Sequence, residues 1–217
     1  MVASRIGEKI FRQFSRDRLF ETLLEIGRFI MKRTAARWTI AAIASLFATS
    51  ASASFVLELR VEELTKRADE VVRARVLERQ SRWSEDGHSI HTFTTLEVIS
   101  NLKGQASGLV TVRQLGGEVD GVGSFVSGDA HFEVGEEVIV FLRANPDGEP
   151  VFHLIGLGQG KFRVDRSGES VRVVRDNSEL ALMRVVGDRF VPGDHGGLTD
   201  MSLEELVGAI GAAANEE

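Results

Sequence analysis

Glu70-Val-Val-Arg-Ala-Arg-Val-Leu-Glu-Arg79 is the stretch on which the fold turns. Val72, Ala74 and Val76 alternate against Arg73, Arg75 and Leu77, a period of two that sends apolar side chains to one face and mostly charged ones to the other. That is a half-buried strand. Just before it, Val61-Glu-Glu-Leu-Thr-Lys-Arg-Ala68 places Val61, Leu64 and Ala68 on one helical face, a short lead-in helix. Just after it, Ser84-Glu-Asp-Gly87 is a turn, because an Asp-Gly pair takes up positive φ at little cost. Ile90 to Ile99 reads as the next strand, and its inward parity changes between Phe93 and Leu96, which predicts a bulge there.

The same pattern continues downstream. Strands are expected at Leu109–Gln114, Glu136–Leu142, Val151–Ile155, Lys161–Asp165 and Ser170–Val174, with hairpin turns at Asn145-Pro-Asp-Gly148 and Asp165-Arg-Ser-Gly168. A C-terminal helix starts at Ser202, where Ser202 and Glu205 have capping-box spacing and Leu203, Leu206, Val207 and Ile210 form an apolar stripe. Many short strands, regular turns and a terminal helix point to a mainly β fold, a small closed barrel or a sandwich.

Residues 31–53 read as a secretory signal peptide. Met31-Lys-Arg33 and Arg37 give a basic region, Thr39–Ala48 a short apolar core, and Ala51-Ser52-Ala53 a small-residue cleavage motif. Cleavage is expected between Ala53 and Ser54, and the protein is expected to be secreted or periplasmic. Two readings stand for residues 1–30. They are either an over-extended gene start, the reading we favour because signal peptides begin close to their basic region, or a basic amphipathic helix carrying Ile6, Ile10, Phe14, Leu24 and Phe29. An uncleaved anchor over 38–56 is the third alternative, and would be the chain's sole membrane attachment. The barrel domain is then 54–198, followed by a helix and tail over 199–217.

Removing the export segment changes the composition. Residues 54–217 carry 17 Lys and Arg against 28 Asp and Glu, a net charge of −11, whereas the whole chain has −6. Such a domain is repelled by phosphate backbones, so nucleic acid is not an expected partner. Its self-repulsion favours a soluble monomer. A length of 164 residues suffices for one domain burying about 70% of its unfolded surface. The chain has no cysteine, which excludes disulfides, a thiol nucleophile and thiolate metal sites.

The order Ala68-Asp-Glu-Val-Val-Arg-Ala-Arg-Val76, Thr95-Leu-Glu-Val-Ile-Ser-Asn-Leu-Lys-Gly104, Val110-Thr-Val-Arg-Gln-Leu-Gly-Gly117 and Phe132-Glu-Val-Gly-Glu-Glu-Val-Ile-Val-Phe-Leu142 resembles the netrin-like module. That module is the OB-type barrel of the tissue inhibitors of metalloproteinases. The layout is more similar still to a group of uncharacterised secreted bacterial proteins. The resemblance spans residues 61 to about 165 and implies a small OB-like closed barrel with a short N-terminal and a C-terminal helix. Those inhibitors chelate their target's zinc through an N-terminal cysteine and are stapled by disulfides, neither of which exists here. The barrel therefore carries over and the inhibitory chemistry does not. OB barrels host many unrelated partners.

Several motifs invite sharper readings. Gly156-Leu-Gly-Gln-Gly-Lys161-Phe162 looks like a phosphate loop, but its spacing is wrong, Phe162 stands where a hydroxyl is needed, and a strand rather than a helix follows. It is read as a glycine-rich connection with Phe162 in the core and with Gln159 and Lys161 at the barrel rim, within reach of a ligand. His88 and His91 are three apart and so point to opposite faces of a strand, while His131, His153 and His195 are scattered; no zinc-ligand spacing is present. Neither a metal nor another cofactor is expected, and no catalytic residue is assigned.

Gly116 to His131 is a sixteen-residue connection, long for a barrel, and such loops are commonly functional. Its apolar Val119, Val122, Phe125 and Val126 either plug one end of the barrel, the alternative we favour, or face a partner. Glu118, Asp120 and Asp129 lack the ladder of oxygen ligands that calcium requires. The function expected is a non-catalytic binding or accessory domain engaging another exported protein, a protease or an envelope component. Its contact residues would be Glu118, Val119, Asp120, Val122, Phe125, Gln159 and Lys161. The alternative is a secreted hydrolase whose two carboxylates converge in one cleft, one of them with a raised pKa.

Overall fold

The computed structural model describes residues 55–175, 177–193 and 199–216, with only the backbone of Thr199. Residues 1–30, the signal segment 31–53, the cleavage site Ala53–Ser54 and His195 lie outside the described residues. In chain order the elements are β1 (Phe55–Leu57), α1 (Val61–Arg67), β2 (Glu70–Trp83), β3 (Ile90–Lys103), β4 (Leu109–Leu115), β5 (Gly117–Val119), β6 (Val122–Ser124), β7 (Glu137–Ala144) and β8 (Phe152–Leu154). There follow one 3₁₀ turn (Leu157–Gly160), β9 (Lys161–Asp165), β10 (Arg172–Arg175), β11 (Ala181–Val186), β12 (Arg189–Pro192), β13 (Thr199–Ser202) and α2 (Leu203–Ala214). Among the described residues, no helix is long and apolar enough to cross a membrane.

Five strands close into a barrel. The antiparallel meander β2-β3-β4 is joined at one edge to β7 and at the other to β8, and β8 pairs with β7 to shut the ring. The β4–β8 seam is parallel, registered through Val112 and Phe152. Counting only barrel strands, the order around the ring is 1-2-3-5-4, the Greek-key arrangement of an OB-like barrel. The fold is thus mainly β, with a helix before the barrel and another at the C-terminus.

The interior follows the pattern read from Glu70–Arg79. Val72, Ala74 and Val76 of β2 meet Leu96 of β3, Val110 and Val112 of β4 and Val138, Val140 and Leu142 of β7, all essentially buried. A second core lies outside the barrel, where Val71, Ile139, Phe141, Phe162 and Val173 pack against Leu64 of α1 and Leu206 and Ile210 of α2. β7 therefore buries both faces, which explains its unbroken run Val138-Ile-Val-Phe-Leu142. Phe141 and Phe162 stack with ring centroids 5.9 Å apart. From β7 the sheet continues outward through β9, β10 and β13.

The predicted parity change in β3 is corrected. Ile90, Thr92, Thr94 and Leu96 are all buried, one parity throughout, and Phe93 points outward beneath the Arg82 guanidinium, 3.9 Å from its ring centre. Cation–π shelter lets a phenylalanine occupy the outer face while threonines point inward. The irregularity sits on the partner strand, where Leu77 is skipped between the pairs Val76–Leu96 and Glu78–Thr95. The capping box of α2 is as read: Ser202 Oγ accepts from Glu205 N at 3.1 Å and Ser202 N donates to Glu205 Oε2 at 2.8 Å. β11 and β12 were not expected. They form a hairpin over Gly187-Asp188, and β1 adds to β11 in parallel to make a separate three-stranded sheet.

Candidate functional site

The 116–131 connection is a hairpin anchored at its base and free at its tip. Asp120 and Gly121 both take positive φ, 51° and 78°, the geometry of a two-residue turn that matches strand twist. At the base, Gly116 N donates to Ile90 O at 2.7 Å and Thr92 Oγ1 donates to Gly116 O at 2.7 Å. Gly117 lies so close to the barrel that a Cβ there would collide with Ser81 Oγ and Thr92 Oγ1. On the return limb, Gly158 N donates to Gly128 O at 2.9 Å.

Between these anchors the apolar residues face outward. Phe125 is 86% exposed and Val122 50%, beside exposed Glu118 and Asp120 and half-buried Val119. The expectation that they plug the barrel is overturned. The end of the barrel is occupied instead by Phe132, which is buried, and by Ala130, whose carbonyl accepts from Gln114 Nε2 at 2.8 Å. Phe132 fills the volume the loop residues were expected to fill, and nothing in the core calls for a second aromatic ring.

Gln159 is not at an accessible rim. It is fully buried, its Oε1 accepting from Leu59 N at 2.8 Å and its Nε2 donating to Leu57 O at 3.0 Å, so it ties β1 and its outgoing limb to the 3₁₀ turn. A glutamine with both amide ends bonded inside the fold has nothing left for a partner. Lys161 does lie at the rim but is also occupied. Its Nζ is 2.6 Å from Glu136 Oε1, donates to His131 O and stands 4.9 Å from the Phe132 ring centre. Lys161 and Glu136 are 12% and 8% exposed, and burial holds the Lys161 ammonium below its ordinary pKa although Glu136 opposes this.

Lys161 belongs to the wall of a cleft of about 530 Å³. One side is the return limb, with Asp129, His131, Glu133 and Glu136; the other is formed by Lys161, Arg163, Asn177 and Leu180. Burial pushes the Asp129 carboxyl above the usual carboxylate range, against hydrogen bonds from the Gln114 amide and Ala130 N, the latter at 2.9 Å. Asn177 is 2% exposed and its Oδ1 has no hydrogen-bond donor among the described residues. The structure thus brings Lys161 and the return limb of the hairpin into one cleft, and leaves Gln159 and the tip outside it.

Sequence reasoning missed Asn177 and the roles of Asp129 and Glu136. Neither spacing nor a motif marks them, because the cleft is assembled from three separated segments. It also missed the outer sheet, where Phe55, Leu57, Val185 and Phe190 are 46–74% exposed on one face. A signal for that sheet exists: two apolar runs, Ala181–Val186 and Arg189–Pro192, flank a Gly-Asp pair. In comparisons with known proteins, the chain matches no family model and no curated protein.

Proposed function

We propose that this chain is a binding or accessory domain of an exported protein system, engaging a protein partner through the 116–131 hairpin and the neighbouring barrel rim. The observation that carries this reading is the exposed apolar tip, Phe125 and Val122, held out on a base that is hydrogen-bonded to the barrel. A soluble domain gains nothing in stability from an aromatic ring left in water, and exposed apolar groups on a rigid support favour protein contact. The export of the domain is part of the same proposal and rests on the Met31–Ala53 pattern.

The test is capture from secreted and periplasmic fractions with the full chain as bait, beside the Phe125→Ser and Val122→Ser variants. Both side chains are exposed, so the variants should keep the wild-type melting temperature within about 0.5 kcal/mol of stability. A protein retained by the wild type and lost by both variants supports the proposal; equal retention by all three refutes it.

A hydrolase is the second reading, favoured by Asp129 with its raised pKa sharing a cleft with Glu133 and Glu136. Turnover of an ester, glycoside or peptide by the purified protein, abolished in Asp129→Asn, would establish it over the first.

A further inference from the structure

The cleft behind the hairpin has a chemistry of its own. Its two cations are already engaged, Lys161 by Glu136 and the His131 carbonyl, Arg163 by Asp165 at 3.6 Å. What it offers a visitor is acceptors. Asp129 keeps a carboxylate in a desolvated wall, Glu133 stands exposed at the mouth, and the nearly buried Asn177 holds an amide oxygen that lacks a donor among the described residues. A buried acceptor left unpaired costs about 1–3 kcal/mol, which an incoming N–H recovers. A buried carboxylate is restored to its charged form by an incoming cation.

These features specify the visitor. It must bring both positive charge and N–H donors, and be small enough at its tip for the cleft. Among the described residues no three His, Asp or Glu side chains come together as metal ligands, so a metal ion is not favoured over an organic cation. The net charge of −11 over residues 54–217 draws basic partners toward this surface.

We propose that the cleft is a receptor site for a protonated primary amine, a lysine side chain or a free N-terminus, with Asp129 as counter-ion and Asn177 Oδ1 as hydrogen-bond acceptor. The amine's ammonium donates one N–H to each and a third toward Glu133 or water. The assignment deepens the binding reading only in naming what part of a partner enters the cleft; the site itself is independent of the hairpin tip.

The test is calorimetric titration of the full chain with three peptides: acetyl-Gly-Lys-Gly-amide, Gly-Gly-Gly-amide with its free amine, and the neutral control acetyl-Gly-norleucine-Gly-amide. Saturable binding of either amine peptide, at least tenfold tighter than the control, is expected, and the stronger of the two identifies the amine's source. Asp129→Asn, which keeps an acceptor for the Gln114 amide, should weaken binding tenfold or more, and so should Asn177→Leu. Phe125→Ser should leave it unchanged. No saturable binding by wild type, equal affinity for the norleucine peptide, or full affinity in Asp129→Asn would each overturn the proposal. Because Asp129→Asn is isosteric, its result decides even if Asn177→Leu does not fold. Loss of partner capture in Phe125→Ser with amine binding intact separates failure of one reading from failure of the other.

Discussion

Asp129 shows how a single carboxylate links stability to pH. Its folded pKa lies above the ordinary 3.8, so between those two values the native state holds a proton that the unfolded chain has released. Stability contributed at this residue therefore falls as pH rises through that window, and at neutral pH the charged, desolvated carboxylate is a net cost. Asp129→Asn should raise the urea midpoint at pH 7, and its advantage should shrink as pH is lowered past the folded pKa. Denaturation curves at pH 3 and pH 7 check this; a variant less stable than wild type at pH 7 would contradict it. The pairing of Lys161 with Glu136 is of another kind. Deleting either partner strands the other in a dry wall, whereas exposed pairs such as Lys66–Glu216, 47% and 65% exposed, hold little. Residues of the first kind were not legible in the chain. Nothing in Ser-Gly-Asp129-Ala-His announces a desolvated acid, because desolvation comes from Gly158, Leu180 and the rest of a wall about thirty to fifty residues away.

Elements were far more legible than sites. Strand β2 could be read because its inner face is uniformly apolar, and α2 because its stop and start chemistry is local. Ser202 caps α2 through its own side chain, so Ser202→Ala should cost about 1 kcal/mol, measured by thermal melting, with Glu205→Gln costing less. A Ser202→Ala loss below about 0.3 kcal/mol would mean that packing of Leu206 and Ile210, rather than the cap, sets the helix start. β3 was misread for a reason that lies outside the strand: Phe93 is on the outer face because Arg82 of β2 reaches over it. Local alternation cannot report what a neighbouring strand supplies. The 116–131 hairpin was seen as a long loop, and its two short strands escaped notice since three residues give no period to detect. Its direction was misjudged because Phe132, one residue beyond that stretch, turned out to be the plug.

At the scale of the molecule, the two cores share one wall. β7 contributes Val138, Val140 and Leu142 to the barrel and Ile139 and Phe141 to the layer beneath the helices, so neither core can dissolve without exposing the other. The barrel and the helical layer should accordingly melt in one transition, by circular dichroism and by near-ultraviolet signals alike; two separated transitions would show that the layers fold independently. The closure of the ring was an inference from order alone in the sequence, carried by the resemblance to OB-type domains rather than by any residue that marks the seam.

That seam has a mechanical consequence. β4 and β8 meet through a single registered pair, Val112 and Phe152, and β8 is only three residues long. Everywhere else in the ring the strands share longer ladders. The barrel is therefore less a sealed cylinder than a clasped bracelet, whose fastening is its shortest contact, and any transient widening of the interior will begin there and leave the remaining four strands joined as a curved sheet.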